Sequence, residues 1–253
     1  EATGSMGDDT PIAVLSDKYR PLSHFFRQNF SQVTNPPIDS LRESEVMSLK
    51  TRFGNTGNIL DFENLTEDNI YVLDSPILSN SQFEKFSDFF KKDIKVLDCT
   101  FNFDQTLKKR LEELRFEAET AVREGSKHLI LTDKNNNKKK IPVPMALAIG
   151  AINSRLVYLG IRGFASINVQ TSEALDTHSF AVLLGVGATT INSYISFDSI
   201  FQRYEKGLFG KITFEESVKR YVKSVDKGLL KIMSKMGISV LSAYRGGCNF
   251  ETI

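Results

Sequence analysis

Few side chains in this 253-residue chain have the type and spacing that catalysis needs. Nucleophilic catalysis requires a serine or cysteine within reach of a base. The three histidines, His24, His128 and His178, have no such partner nearby in sequence. The first sits in an aromatic stretch, the second opens a strand-like run, and the third falls in the first turn of an apolar helix, so each is read as structural. Cys99 and Cys248 lie far apart without metal-ligand spacing, a pattern expected in a reducing compartment. Gly185-Val-Gly187 precedes a strand instead of following one, which suits helix termination and close packing better than phosphate binding. The sequence contains neither a Walker loop nor His-Glu-x-x-His. It therefore nominates no catalytic and no metal-ligating set.

Carboxylates and one arginine remain. Asp8-Asp9 and Glu112-Glu113 could hold a cation, although helix capping and solvation explain them more simply. Asp98, Thr132, Asp133, Gln170, Thr171, Glu173, Tyr244 and Arg245 all fall where predicted strands end. That edge is where α/β proteins place their sites. Arg245 is the best anion ligand among them, with a structural salt bridge as the alternative.

These residues depend on a regular β/α alternation that begins at residue 94. Strands are predicted over 94–100, 128–132, 165–171, 190–195 and 238–243. The helices between them cover 104–125 with Asp104 as cap, 145–159, 177–185, a short piece near Phe201, and a long helix opened by Thr213 and Glu216 and closed at Gly237. The expected fold is α/β: a mainly parallel sheet of about five strands with helices on both faces, resembling a partial (β/α) barrel. The helices at 145–159 and 177–185 are apolar nearly all round, and Gly150, Gly185 and Gly187 suggest close neighbours there.

Residues 1–92 are loop and helix. A short strand is predicted at 12–15, an aromatic-faced helix at 21–30, and a stiff extended segment at Thr34-Asn35-Pro36-Pro37. A short helix with Leu41, Val46 and Leu49 would be capped by Asp39 or Ser40. Gly54 to Asn58 would turn flexibly, and Phe83, Phe86, Phe89 and Phe90 would pack as core.

With 32 basic and 31 acidic residues the chain has no bulk field toward nucleic acid, and Lys138-Lys139-Lys140 reads as a solvated loop. The longest apolar window, 143–152, is too short for the roughly 18 residues of a membrane span, and the opening lacks a signal-peptide pattern.

Several long strings together resemble the central domain of the glutamate synthase large subunit. They are Gly4-Ser-Met-Gly-Asp-Asp-Thr-Pro-Ile-Ala-Val-Leu-Ser16, Phe30-Ser-Gln-Val-Thr-Asn-Pro-Pro-Ile-Asp39, Leu41-Arg-Glu43, Val46-Met-Ser-Leu49, Ile141-Pro-Val-Pro144, Gly150-Ala-Ile152, His178-Ser-Phe-Ala-Val-Leu-Leu-Gly-Val-Gly-Ala188 and Lys227-Gly-Leu-Leu-Lys-Ile-Met-Ser-Lys-Met-Gly-Ile-Ser239. The resemblance implies a central domain at 1–226 and a junction at 227–253 that begins an FMN-binding barrel. It implies a parent enzyme making glutamate from glutamine and 2-oxoglutarate, with FMN and a 3Fe-4S cluster in the parent and neither in these residues. It further implies amidotransferase and FMN domains as same-chain partners, a small NAD(P)H-oxidising subunit or ferredoxin as electron donor, and a cytoplasmic or plastid location.

By the same resemblance, a loop of Thr3, Ser5, Met6, Gly7, Asp8, Asp9 and Thr10, supported by Thr34 and Asn35, would face the ammonia tunnel and the flavin. Lys235, Tyr244 and Arg245 would mark the flavin-domain junction. Three places depart from the family pattern: His178-Ser179 replaces two histidines, Val169-Gln170 replaces Val-Glu, and Gly246-Gly-Cys-Asn-Phe-Glu251 replaces Gly-Ala-Gln-Ile-Phe-Glu. These 253 residues alone are expected to lack glutamate synthase activity. The alternative reading is a free-standing α/β binding module.

Overall fold

A computed structural model describes residues 11–30, 42–54, 60, 70–247 and 249–253. In chain order the elements are β1 (Phe26–Gln28), α1 (Glu43–Val46), β2 (Thr51–Phe53), β3 (Tyr71–Leu73), α2 (Asn80–Phe89), β4 (Ile94–Asp98), β5 (Thr100–Asn102), α3 (Leu107–Arg123), β6 (His128–Thr132), β7 (Lys140–Pro142), α4 (Met145–Tyr158), β8 (Ser166–Gln170), α5 (Thr177–Gly185), β9 (Thr190–Asn192), α6 (Tyr194–Glu205), α7 (Phe214–Lys235), α8 (Leu241–Tyr244) and β10 (Phe250–Thr252).

Four strands form the parallel sheet, in the order β4-β6-β8-β9. Ile77 extends it through a single parallel bridge to Ile191. The expected α/β architecture is therefore present. The fifth strand predicted at 238–243 is not: Val240 makes one bridge to Ser48, and the chain turns at once into α8. Tertiary contact overrides the β-branched pattern there, because the Ser48 N–H donates to Ser239 O and the Ser48 carbonyl accepts from the Leu241 N–H.

Strand alternation sends side chains to two differently filled faces. Leu97, Leu129, Leu131, Ile167, Val169 and Ile191 join the larger core, together with buried residues of α3, α4, α5 and α7. Ile130 points the other way, into a phenylalanine-rich cluster of Phe53, Phe83, Phe86 and Phe90 contributed by β2 and α2. Each fully buried Leu or Ile of these clusters contributes roughly 1.5–3 kcal/mol of burial.

The helices start where side chains can satisfy their free amides. Ser79 and Gln82 form a reciprocal capping box on α2, and Asp176 and Ser179 do the same on α5. Thr106, not Asp104, caps α3 by accepting from the Lys109 amide. Thr213 caps α7 by accepting from the Glu216 amide, while the Glu216 carboxylate turns to Arg220. Val225, Leu229 and Met233 form one buried stripe on α7, at spacings of four residues.

Several local expectations are corrected. The segment predicted as an aromatic helix at 21–30 is a 3₁₀ turn, Leu22–Phe25, followed by strand β1, which pairs antiparallel with β10. Residues 12–15 hold a 3₁₀ turn, Ala13–Leu15, instead of a strand. The strand predicted at 190–195 ends at Asn192, and the helix near Phe201 is the 12-residue α6. Phe83, Phe86 and Phe90 are buried as expected, but Phe89 is exposed. A Cβ at Gly150 would meet nothing, so no neighbour approaches it closely, whereas Gly185 lies under the Phe250 ring and Gly187, at φ +126°, faces Asn153.

Candidate functional site

The C-terminal edge of the sheet holds the densest polar cluster. The register aligns Thr132, Gln170 and Asn192 as the last residues of three neighbouring strands. Thr132 Oγ1 donates to Gln170 Oε1 (3.1 Å), and Gln170 Nε2 donates to Asn192 Oδ1 (3.2 Å). Asn192 Nδ2 donates to Asn80 Oδ1 (2.9 Å), and Asn80 Nδ2 donates to Asp198 Oδ1 (3.1 Å). This ladder uses each group's donor or acceptor on the next and seals the strand ends.

Asp133 follows β6 and is completely buried. Its Oδ2 accepts from Thr171 Oγ1 (2.7 Å), the Ser172 amide (2.9 Å) and Ser172 Oγ (3.1 Å), and its Oδ1 accepts from the Tyr194 hydroxyl (2.9 Å). Four donors offset the cost of burying the carboxyl. Burial, with the Asp133 charge beside it, pushes the Tyr194 phenol up to about 12. Lys134 Nζ lies 5.1 Å from the centre of the same ring, at cation–π range.

Glu173 accepts from the Met145 amide at 3.1 Å, doing for α4 what its N-terminal Pro144 has no side-chain acceptor to do. Burial raises the Glu173 carboxyl above its usual range. Chemically, the cluster fixes the loops after β6 and β8 and leaves the Asp133 carboxylate fully engaged. The sequence placed Asp133, Thr171 and Glu173 at this edge, but missed Ser172 and Tyr194, which register alone brings to Asp133.

Each histidine has a structural setting. His128 is brought opposite Ser166 by the register of β6 and β8, with Nδ1 2.8 Å from Ser166 Oγ. It also stacks on Phe90 at 4.1 Å between ring centres, and burial lowers it to about 4. The pair is thus a histidine and a serine in contact that sequence distance hid. An imidazole so weakly basic, enclosed by phenyl rings, is a poor general base at neutral pH. His178 Nε2 lies 2.9 Å from the Ser23 carbonyl, and His24 is 4.0 Å from Asp176.

The proposed junction residues occupy three different settings. Lys235 is exposed in the last turn of α7, where a cation suits the helix dipole. Tyr244 is buried in α8, and its hydroxyl donates to Gln28 Oε1 at 2.8 Å, within 3.3 Å of the Ala181 carbonyl. Arg245 Nη2 donates to Thr51 Oγ1 (3.2 Å) and toward the Thr189 carbonyl (3.5 Å). Thr189 immediately precedes β9, so Arg245 stands at the N-terminal edge of the sheet, opposite the edge the sequence assigned it. The physical reason is the helical turn of α8, which reverses the chain before any strand is completed. Of the two roles offered for Arg245, the salt bridge is not made among the described residues, where its acceptors are neutral. Thr3, Ser5, Met6, Gly7, Asp8, Asp9, Thr10, Thr34 and Asn35 lie outside the described residues, as does Cys248.

A family model described as "Glutamate synthase central domain" matches residues 1–253. The chain is 55% identical over 256 residues to the glutamate synthase [NADPH] large chain of Azospirillum brasilense, covering 100% of this chain and 17% of that protein. It is 40% identical to the large chain of Bacillus subtilis, covering 99% and 16%. It is also 40% identical to the chloroplastic ferredoxin-dependent glutamate synthase of Oryza sativa subsp. japonica, covering 99% and 16%. The chain thus spans about a sixth of the length of these relatives. Among solved structures, a flavocytochrome b2 variant aligns at 10% identity with a TM-score of 0.46, covering 76% of this chain and 42% of that one.

Proposed function

Since the chain belongs to the glutamate synthase central-domain family, we propose that it is the interdomain segment of a glutamate synthase large subunit, joining an amidotransferase domain to an FMN domain. The observation that carries this reading is the family match across all 253 residues in a chain that covers only 17% of its 55%-identical relative. The parent would make L-glutamate from L-glutamine and 2-oxoglutarate, within a cytoplasm or plastid. Its electrons would come from NADPH, NADH or ferredoxin, and the relatives carry both the NADPH and the ferredoxin names. No helix among the described residues is long and apolar enough to cross a membrane.

The chain's own contribution would be geometric. The segment from β1 to Asn29 clasps the segment from Asn249 to Ile253 through a strand pair, the Asn29 N–H to Asn249 O bond and the Ile253 N–H to Phe25 O bond. Phe250 seats on Gly185 and meets Phe26 edge-on at 6.4 Å. Tyr244 adds its bond to Gln28. This clasp would set where the polypeptide leaves for the FMN domain. The loop of Thr3 to Thr10 with Thr34 and Asn35 would face the ammonia route, and Lys235, Tyr244 and Arg245 would belong to the junction as framework.

The parent's FMN and 3Fe-4S cluster would be held by its other domains. One open groove, about 440 Å³, is lined by Lys109, Glu112, Glu113, Phe116 and Glu117, an acidic wall unsuited to a flavin phosphate. No group of three His, Cys, Asp or Glu residues among the described residues could hold a metal. The test is to purify the 253-residue chain and assay it with glutamine, 2-oxoglutarate and NADPH. No turnover and no bound flavin are expected, and stoichiometric yellow protein or glutamate production would refute the reading. Deleting residues 249–253 in the parent should uncouple glutaminase from synthase turnover.

A further inference from the structure

Buried guanidinium groups are normally matched by carboxylates. Arg110 obeys this rule by holding Glu113 and Glu117, and the more exposed Arg123, Arg155 and Arg220 also pair with glutamates. Arg162 and Arg245 break it. They bracket the turn between α5 and β9: Arg162 Nη2 donates to Gly187 O at 2.9 Å, and Arg245 Nη2 reaches Thr189 O, two residues further on. Arg162 also donates to Asn153 Oδ1 at 2.7 Å and to Ala165 O. Every acceptor of both side chains is neutral, and no carboxylate pairs with either among the described residues.

Arg245 is also incompletely satisfied. Its Nε is buried and meets no acceptor among the described residues. Four residues on, Asn249 Nδ2 is another buried donor without a partner. A buried donor left unmatched costs about 1–3 kcal/mol, more when it is charged. Burial, reinforced by the neighbouring Arg162 charge, lowers Arg245 to about 10, as expected of two cations facing each other without a counterion. A Cβ added at Gly246, at φ +67°, would lie 3.7 Å from Asn153 Nδ2 and 3.9 Å from Gly187 Cα, so this turn lies beside the Arg162 ligands.

We propose that Arg162 and Arg245 form an oxyanion site at the N-terminal edge of the sheet, taking a carboxylate or phosphate-type group on the free Arg245 Nε face. The planar fork of arginine matches two oxygens of such a group, which a single lysine charge would not. The oxyanion has two possible sources, a free ion or a carboxylate from the rest of the parent polypeptide, and the experiment separates them.

The 253-residue chain is melted in increasing inorganic phosphate, with ionic strength held constant by chloride. A saturable rise in Tm of about 5 °C is expected. It should vanish in Arg245→Gln and persist in Arg115→Gln, an exposed arginine elsewhere. The same titration on the full-length parent assigns the source. An equal response there indicates a free oxyanion, and its loss indicates that a parent carboxylate already fills the site. No response in the 253-residue chain, or one that Arg245→Gln retains, overturns the proposal. Should Arg245→Gln fail to fold, Arg245→Lys is read in its place: it keeps the charge and should weaken phosphate binding about tenfold, and unchanged binding overturns the site.

Discussion

Replacing Asp226 with asparagine should stabilise the protein at neutral pH and leave it unchanged in acid. Asp226 lies on the inner side of α7, where its Oδ1 accepts from the Ser75 hydroxyl at 2.7 Å. Ser75 Oγ in turn accepts from the amide of Ile77, the residue that extends the sheet. Burial raises the Asp226 carboxyl from 3.8 to about 6, and the Ser75 bond offsets only part of that. Below about pH 3.8 the group is protonated in both folded and unfolded chains, so it costs nothing. As pH rises through 6, the unfolded chain ionises first, and the folded chain must then hold a poorly solvated charge. Some 2.2 units at 1.36 kcal/mol each gives a cost of about 3 kcal/mol at pH 7.

Asparagine keeps the acceptor for Ser75 and removes the charge. Urea unfolding of wild type and Asp226→Asn, from pH 3.5 to 8, should therefore give a stability difference near zero at pH 3.5. That difference should climb between pH 4 and 6 and level at about 1–3 kcal/mol in favour of the variant. At about 2–4 °C per kcal/mol, the gain in Tm at pH 7 is about 2–12 °C. Carboxylates with depressed values, such as Glu119 and Glu216, shape the pH dependence of both proteins alike and drop out of the difference. A variant that is less stable at pH 7, or a difference that ignores pH, would refute the reasoning.

Gly187→Ala should lower stability by about 1–3 kcal/mol in a thermal melt, because a Cβ there would lie 2.5 Å from Asn153 Cγ at φ +126°. Gly150→Ala, in an open helical position, should instead gain about 0.5–1 kcal/mol. Tyr244→Phe should cost about 1–2 kcal/mol and raise hydrogen exchange selectively at Phe26–Gln28 and Phe250–Thr252; exchange that stays at wild-type levels in both strands would show that the hydroxyl does not hold the clasp.

What the sequence revealed tracks the range of the forces involved. The run His128–Thr132 carries Leu129, Ile130 and Leu131 on both faces of a buried sheet, and Ser166–Gln170 alternates polar and apolar residues, two strand patterns written locally. Thr213 as the cap of α7 and Gly237 as its stop were legible for the same reason. Residues 21–30 misled because their aromatics fall at helical spacing, while the partner that makes part of them a strand lies at Phe250–Thr252. At 238–243 a β-branched run lost to a single backbone bridge with Ser48. The candidate site divides the same way. Asp133 and Thr171 each follow a strand and could be read directly, but the Tyr194 hydroxyl and the neutral acceptors around Arg245 come from register and turns that no local window contains.

The pairing of β1 with β10 also dictates an order of events during synthesis. Phe26 faces Thr252, 226 residues later in the chain. At translation rates of about 5–20 residues per second, the first strand waits about 10–45 s for its partner to leave the ribosome. Before that partner emerges, β4, β6, β8 and β9 can assemble their parallel sheet in turn, while the groups of β1 that pair with β10 go without their partner. The nascent domain is therefore closed last at the place where its two ends meet, and chaperone occupancy on ribosome-bound chains should concentrate on residues 22–28 until residue 252 emerges.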